Sequence, residues 1–325
     1  MNIAIAINEK YIPYAYVMLV SLMENHKSIA DRITVYILFG YIPDEKLEVL
    51  GQLEGKYGCS IVALQVPIDR LPADLPHTEQ WSVEVYFRLM LQDLLPEDVD
   101  RLLYLDTDII ISGNFEEYYN TPFGPNGDKV LVVNADMSAK RVGLTAVQND
   151  LFAHHMRNGD FVYFNAGVML MNLKVLRNEF TLDIFLDEFL KRKDRIFAQE
   201  QDLLNDLFYG RIVFVDENRF DLFAKIAYNE GRGYDWAKKN SSIIHYAGRK
   251  PWSGEGLRYD TELIWWEYAA MTPFYTELMR SLIEEESRLA YADSTIRRLA
   301  NEKDELNNLV NKLKALIENL TGQQI

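Results

Sequence analysis

Two carboxylates set two residues apart are the first place where this chain could do chemistry. In Arg101-Leu-Leu-Tyr-Leu-Asp-Thr-Asp-Ile-Ile-Ile-Ser112 a short apolar run drives straight into Asp106 and Asp108. Such a run reads as a buried parallel strand whose end carries a site. Side chains at i and i+2 of an extended segment leave the same face, so the two carboxylates present their oxygens together. Anions that close repel, and a hard divalent cation is the usual remedy. The plainer alternative is a strand end entering a turn, where Asp is common and where Gly113-Asn114 follows soon after.

Other segments offer groups that could complete a site. In Ser242-Ile-Ile-His-Tyr-Ala-Gly-Arg-Lys-Pro-Trp252 a short strand delivers His245 at its end, with Gly248 and Lys250 close behind. Histidine is the commonest nitrogen ligand for a metal and lysine a point-charge phosphate binder, although a lone His at a strand end is more often structural. Arg88 lies among apolar residues of an expected helix over Val83–Leu95. A buried Arg needs an anion, either in a core ion pair or in a site. Val130-Leu-Val-Val-Asn-Ala-Asp136 repeats the design of an apolar strand ending in a carboxylate, again with a turn as the alternative. Phe161–Asn172 reads as a long apolar strand with Asn165, Ala166 and Gly167 inside it. Gly there points to close approach by a ligand or another backbone. Glu200 and Gln201 open a helix whose buried stripe is Leu203, Leu204, Leu207 and Phe208, and the helix dipole alone would account for Glu200.

The elements that must position these groups alternate. Strand Ile3–Ile7, helix Tyr11–His26 with Tyr14, Val17, Met18 and Leu22 on one stripe, strand Ile33–Phe39, helix Asp44–Tyr57 and strand Ser60–Val66 predict a parallel sheet with helices on both faces. Leu71–Trp81 reads as a surface loop, Lys140–Asn158 and Leu173–Lys193 as helical, Arg211–Asp216 as a strand and Asn218–Lys239 as irregular. No Gly-x-Gly-x-x-Gly follows the first strand, which removes the main support for a dinucleotide-binding unit. From about Leu282 to Gly322 a long helix without Gly or Pro is expected. Leu289, Ile296, Lys303, Val310 and Ile317 recur at one heptad position and Ala292, Leu299, Leu306, Leu313 and Leu320 at another, the a/d pattern of a coiled coil. A parallel dimer is the expected homo-oligomer through residues 282–320, with Leu309 and Leu316 at g leaving a trimer open.

Composition bounds the partners. With 325 residues and a formal net charge of −15, the chain has no basic excess to replace phosphate counterions, so nucleic acid is not an expected partner. An anionic substrate must be met locally, by a metal or a few placed cations. Cys59 is the sole cysteine, which excludes an intrachain disulfide and fits a reducing compartment. Met1-Asn-Ile-Ala-Ile-Ala-Ile-Asn has no basic leader and no run of about 18 apolar residues occurs, so neither a signal peptide nor a transmembrane segment is expected. The expectation is a soluble cytoplasmic protein, or one peripheral at the inner face of the membrane.

Taken in order, Asn8 after the first strand, Arg88, Asp-Thr-Asp at 106–108, Phe-Asn-Ala-Gly-Val at 164–168, Glu200-Gln201 and His-Tyr-Ala-Gly-Arg-Lys-Pro-Trp at 245–252 form a specific series. Over roughly residues 1–270 the chain resembles glycosyltransferase family 8. That family includes bacterial lipopolysaccharide galactosyl- and glucosyltransferases and glycogenin. The resemblance implies an α/β architecture of the GT-A type, a Rossmann-like, mostly parallel sheet with flanking helices, over residues 1–280, followed by the coiled-coil helix at 281–321. It implies a metal-dependent retaining transferase that moves glucose or galactose from a UDP-sugar to a glycan, glycolipid or glycoprotein acceptor, in lipopolysaccharide or other cell-surface glycan synthesis. Asp106, Asp108 and His245 match the family's metal ligands for Mn²⁺ or Mg²⁺, with Thr107 between the two carboxylates. Ala6, Asn8 and Tyr11 match the segment that holds uracil and ribose, and Gly248 and Lys250 the phosphate loop. Arg88, Asn165, Ala166, Glu200 and Gln201 match positions around the donor sugar, and Asp136 one near the acceptor. Asn8 and Glu200 each stand where the family more often has Asp, and the loop from His245 to Lys250 is one residue shorter than usual. Gln201 matches the position behind the sugar, and an amide is a poor nucleophile, so same-face attack with Gln201 stabilising the cationic sugar is expected.

Two other readings remain. A phosphatase of the haloacid-dehalogenase type also follows an apolar strand with Asp-x-Asp, but on its first core strand and with a later Asp pair, and here no adjacent pair of Asp follows. A non-catalytic body that binds nucleotide sugars, assembled into a scaffold by the coiled coil, is the second.

Overall fold

The computed structural model describes residues 1–72, 75, 83–157, 159–254 and 259–321, the last of these from 312 onward in backbone alone. Ten strands occur among the described residues: β1 (Asn2–Ala6), β2 (Thr34–Phe39), β3 (Ser60–Gln65), β4 (Arg101–Leu105), β5 (Ile109–Ile111), β6 (Leu131–Ala135), β7 (Phe164–Asn172), β8 (Ile212–Val215), β9 (Leu222–Phe223) and β10 (Ile243–His245). Seven of them make one sheet in the order β3-β2-β1-β4-β7-β6-β8, and β5-β10-β9 make a second. The expected α/β fold with a mostly parallel sheet is borne out, with one difference. β7 runs antiparallel to both β4 and β6. All nine of its residues are buried. Burial on both faces produces the same apolar run in either direction, so the sequence cannot tell the two apart.

The expected strand through the two aspartates is interrupted. β4 stops at Leu105 and the chain leaves the large sheet, resuming as β5 in the small one. Asp106 and Asp108 therefore lie on a connection between sheets rather than on one face of a single strand. The apolar residues of β5 continue the pattern only because the second sheet buries them as fully as the first.

The helix Ile12–Asn25 explains where β5 sits. It is buried from Ala15 through Met23 rather than along a single stripe. Its Ser21 Oγ accepts from Ile111 N at 3.0 Å, and Asn25 Nδ2 donates to Ile111 O at 2.8 Å. Two polar side chains thus fasten the helix to the strand after the aspartates, each satisfying a backbone group that burial would otherwise leave at a cost.

Four expected elements differ in detail. Val83–Met90 is a 3₁₀ helix and only Leu91–Leu94 is α-helical. The stretch expected as one helix over Lys140–Asn158 is three short ones, Met137–Val142, Ala146–Leu151 and Ala153–Met156, with residue 158 outside the described residues. Leu173–Lys193 is broken at Phe180, where Thr181 caps a new helix at Leu182 through Ile184 N. The irregular stretch Asn218–Lys239 holds the helices Ala224–Asn229 and most of Tyr234–Asn240. The loop expected over Leu71–Trp81 falls largely outside the described residues.

Two compact units are found, residues 1–251 with 259–273, and the segment after Pro251 with the chain from Phe274 onward. The second unit contains the expected long C-terminal helix, Tyr275–Thr321. At about 1.5 Å per residue its 47 residues span about 70 Å. Ile296, Leu299, Leu306, Leu309 and Val310 are exposed along it. The heptad positions Leu313, Leu316, Ile317 and Leu320 lie where side chains are outside the described residues. Among the described residues no helix is long and apolar enough to cross a membrane.

Candidate active site

Adjacent strands from the two sheets assemble the site. Asp106 N donates to Gly167 O at 2.8 Å, the final rung between β4 and β7. After the crossover, His245 of β10 pairs directly with Ile109 of β5, and Tyr246 N donates to Asp108 O at 2.9 Å. The ligating atoms of Asp106, Asp108 and His245 consequently lie within 4.8 Å of one another. Gly167 gives them room. A Cβ there would stand 2.6 Å from His245 Cε1 and 2.9 Å from Asp106 Oδ2. The close approach at this glycine is made by the side chains of His245, Asp106 and Asn165, where a ligand or another backbone was expected.

Charge is concentrated here and compensated locally. His245 Nδ1 donates to Asp221 Oδ1 at 2.8 Å, while Nε2 faces Asp108 Oδ1 at 3.3 Å. Lys250 Nζ donates to Asp108 Oδ2. Burial opposes a charge on His245, but Asp108 and Asp221 outweigh it and push its pKa up to about 10. Burial likewise opposes ionisation of Asp108, yet Lys250 and His245 hold its carboxyl well below the usual range. Asp221 is fully buried, which pushes its pKa up to about 6 against the pull of His245, and its Oδ2 has no hydrogen-bond partner.

Arg88 ties the second layer together. Its Nη2 donates to Asp106 Oδ1 at 2.8 Å, its Nη1 to Ala166 O at 2.6 Å and its Nε to Val85 O at 3.1 Å, with Glu200 Oε1 3.5 Å from Nε. Both readings of this residue hold at once, since its ion pair in the core is also a wall of the site. Burial pushes Glu200 up to about 7, with Arg88 pulling the other way. Gln199, just before it, has φ +47°, a backbone state that non-glycine residues rarely adopt, and its side chain accepts from Tyr86 Oη.

The helix Gln199–Leu207 is locked to β7 by Asn205, whose Oδ1 accepts from Phe164 N at 2.8 Å and whose Nδ2 donates to Phe164 O at 3.0 Å. That register brings Gln201 Oε1 to Ala166 N at 2.8 Å and to Asn165 Nδ2 at 3.2 Å, with its Nε2 donating to Tyr163 Oη at 3.0 Å. Asp202 is sealed beneath. Its Oδ2 accepts from Phe197 N and Ala198 N, and its Oδ1 from Tyr163 Oη and Gln148 Nε2.

Two cavities meet at the aspartates. One, of about 480 Å³, is lined by Ala6, Asn8, Tyr11, Thr107 and Gly248 among others. The second, of about 240 Å³, is lined by Asn165, Glu200, Gln201 and His245. Arg88, Asp106, Asp108, Gly248 and Lys250 line both. Ala166 contributes through its peptide group. Asp136 lines neither cavity. It caps the helix Met137–Val142 through Ala139 N and stands behind Asn165, whose Nδ2 is 3.5 Å away.

Residues 2–256 match the family described as Glycosyl transferase family 8. The chain belongs to glycosyltransferase family 8. It is 29% identical over 262 residues to a lipopolysaccharide 1,2-glucosyltransferase of Escherichia coli, covering 77% of this chain and 73% of that protein. It is 26% identical over 260 residues to a lipopolysaccharide 1,3-galactosyltransferase of Salmonella typhimurium, covering 78% and 74%. In fold it is similar to the galactosyltransferase LgtC, solved in complex with donor and acceptor sugar analogues, with TM-score 0.68, 24% identity and coverage of 84% of this chain and 96% of that one.

As a family 8 member the protein is a hexosyltransferase, in keeping with the reading of its motifs. Such enzymes use a nucleotide-sugar donor and typically a divalent cation. The donor set fits a cation on chemical grounds: two carboxylates and one imidazole converge, and the far nitrogen of the imidazole is already anchored to a buried carboxylate. The sequence reading missed Asp221, because an acid within an aromatic, turn-rich stretch carries no periodic signal. It also missed Gln148, Tyr163 and Asn205, which surround Gln201 and Asp202 and whose spacing in the chain shows nothing of their meeting.

Proposed function

We propose that the protein transfers glucose or galactose, with retention of configuration, from a UDP-sugar to a glycan, glycolipid or glycoprotein acceptor, in the synthesis of lipopolysaccharide or another cell-surface glycan. The observation that carries this reading is the Asp106, Asp108 and His245 cluster at the junction of two cavities, one bordered by Ala6, Asn8 and Tyr11 and the other by Asn165, Glu200 and Gln201. The names of the lipopolysaccharide glucosyl- and galactosyltransferase relatives support the hexose and the surface glycan.

In this reading Asn8 Oδ1, a buried acceptor without a partner, takes the imide N–H of uracil, and Tyr11 packs against the nucleoside. Asp106, Asp108 and His245 would hold a divalent cation, Mn²⁺ or Mg²⁺, which would supply positive charge beside the departing diphosphate. Lys250, which donates to Asp108, lies where it can also reach a phosphate oxygen and add a second cation where negative charge develops. Gly248, with φ +90°, lets the loop backbone pass close to the same phosphates. Arg88 neutralises Asp106 and Glu200 from behind and holds the peptide of Ala166 at the sugar.

Retention then proceeds by attack on the face the diphosphate leaves. Asp202 has four donors on its two oxygens and cannot reach a sugar without leaving them. Both acceptor directions of the Gln201 amide are committed to Ala166 and Asn165, so Gln201 acts as a fixed dipole beside the cationic sugar and not as a nucleophile. Asp136 orients Asn165 toward the acceptor side. The exposed heptad residues from Ile296 to Val310 support a parallel dimer through residues 282–320, and the protein works in the cytoplasm or at the inner face of the membrane.

Turnover of a panel of nucleotide sugars tests this reading. The expected result is transfer or slow hydrolysis of UDP-glucose or UDP-galactose that needs Mn²⁺ or Mg²⁺ and stops with chelator. No turnover of any sugar nucleotide with any divalent ion leaves the non-catalytic scaffold instead.

A further inference from the structure

A second convergence of metal-ligating groups lies away from the aspartate pair. His154 and His155, neighbours on the short helix Ala153–Met156, both turn Nε2 onto Oδ1 of Asp206, at 3.4 Å and 2.7 Å. All three ligating atoms lie within 4.8 Å of one another. Consecutive residues on a helix point about 100° apart, so two of them meeting on one oxygen is not what helix geometry alone produces. The pieces around them are those of a built site. Asp206 is buried, and its other oxygen, Oδ2, is held by Arg192 Nε at 2.5 Å. The His155 ring is fixed against Tyr209 at 4.1 Å and Phe161 at 5.8 Å between centroids. The His154 side chain is 58% exposed, leaving a way in from solvent.

We infer that His154, His155 and Asp206 form a second metal site, one that takes a borderline transition ion of the Zn²⁺ class. Two imidazoles and one carboxylate suit Zn²⁺, Co²⁺ or Ni²⁺ better than Mg²⁺ or Mn²⁺, which prefer oxygen. Tetrahedral bonds of about 2.0–2.1 Å put donor atoms about 3.3–3.5 Å apart, so the His154 spacing already suits an ion and His155 has to open by under about 1 Å. Water completes the coordination from the exposed side. Arg192 anchors the carboxylate in the way outer hydrogen bonds orient metal ligands.

The site joins two parts of the chain that matter to the transferase. Asp206 rides on the helix Gln199–Leu207, which begins with the residues around Glu200 and Gln201. His154 and His155 belong to the excursion between β6 and β7, which has its own small core of Leu151, Phe152 and Tyr163. An ion here pins that excursion to the helix and steadies the register of Gln201 without touching the donor.

Metal content after equilibration with Zn²⁺ alone tests the inference, comparing the wild-type protein with His154→Ala. The exposed imidazole of His154 can be removed with little cost to the fold, and the difference between the two proteins does not depend on what the aspartate pair binds. Wild type should retain one more equivalent of Zn²⁺ than the variant, whereas a separate equilibration with Mn²⁺ alone should load the two equally. Co²⁺ should produce visible absorption bands of which one set is lost in His154→Ala. Equal Zn²⁺ content in the two proteins, or identical Co²⁺ spectra, overturns the site.

Discussion

Asp221 and His245 meet through a 2.8 Å hydrogen bond from Nδ1 to Oδ1, and that contact leaves Nε2 as the nitrogen facing Asp108. A carboxylate behind an imidazole fixes both its tautomer and its ring plane, and loss of such a partner costs about 10–100-fold in metal affinity. Asp221→Asn, close to isosteric, should weaken Mn²⁺ activation by that order while turnover at saturating Mn²⁺ falls less. An unchanged Mn²⁺ titration would show that the contact is structural only.

Gly167→Ala places a methyl 2.6 Å from His245 Cε1. The neighbours that must yield, His245, Asp106 and Asn165, include two of the proposed cation ligands, and misplacing reacting groups by about 1 Å costs about 100-fold in rate. Activity should therefore drop by about that factor while circular dichroism and melting remain near wild type.

A proton on His245 would compete with the cation proposed for this cluster. In the ion-free protein its pKa of about 10 stands above the ordinary 6.5, so the imidazolium's contribution to stability is complete below about pH 6.5 and is lost as pH rises through about 10. Cation binding needs the neutral ring and so follows the opposite trend. Mn²⁺ affinity should rise with pH between 6.5 and 8.5, by up to about tenfold per unit for one proton released. Calorimetry in buffers of different ionisation enthalpy counts that proton, and zero protons released would contradict the expectation.

Arg88→Ala leaves Asp106 and Glu200 without their shared cation in a buried setting. Breaking such a pair costs about 3–5 kcal/mol, which denaturant titration would read directly. Arg88→Lys keeps the charge but lacks the fork that reaches Asp106, Ala166 and Glu200 together, so it should recover part of the stability and little of the activity.

Removing residues 288–325 deletes Ile296, Leu299, Leu306 and Val310. Sedimentation should then report a smaller species than for the full chain, with UDP-sugar turnover kept. Loss of UDP binding on truncation would make the tail part of the catalytic body.

Much of the site was legible because its residue types are rare in the surroundings they occupy. Asp in the middle of an apolar run, Gly167 in a buried strand and Arg88 among hydrophobics each contradict local burial unless something nearby answers them. The hexosyltransferase family followed from the order of those motifs, and the mostly parallel sheet from the alternation of strands and helices over residues 3–66. What stayed hidden depends on partners distant in the chain. Ile109–Ile111 looks like more of β4, since periodicity reports burial and not which sheet provides it. The antiparallel course of β7, the strained backbone of Gln199 and the four donors around Asp202 are set by tertiary contacts for which one sequence holds no marker.

The register of β6 and β7 shifts between Val133 and Asn134, so the ladder has a gap opposite Ala166 and Gly167. Their amides bond instead to side chains, Ala166 N to Gln201 Oε1 and Gly167 N to Asn165 Oδ1, each at 2.8 Å. Deuterium uptake at those two positions consequently reads whether the side chains of Gln201 and Asn165 are in place, turning an irregularity of the sheet into a built-in gauge of order beside the aspartate cluster.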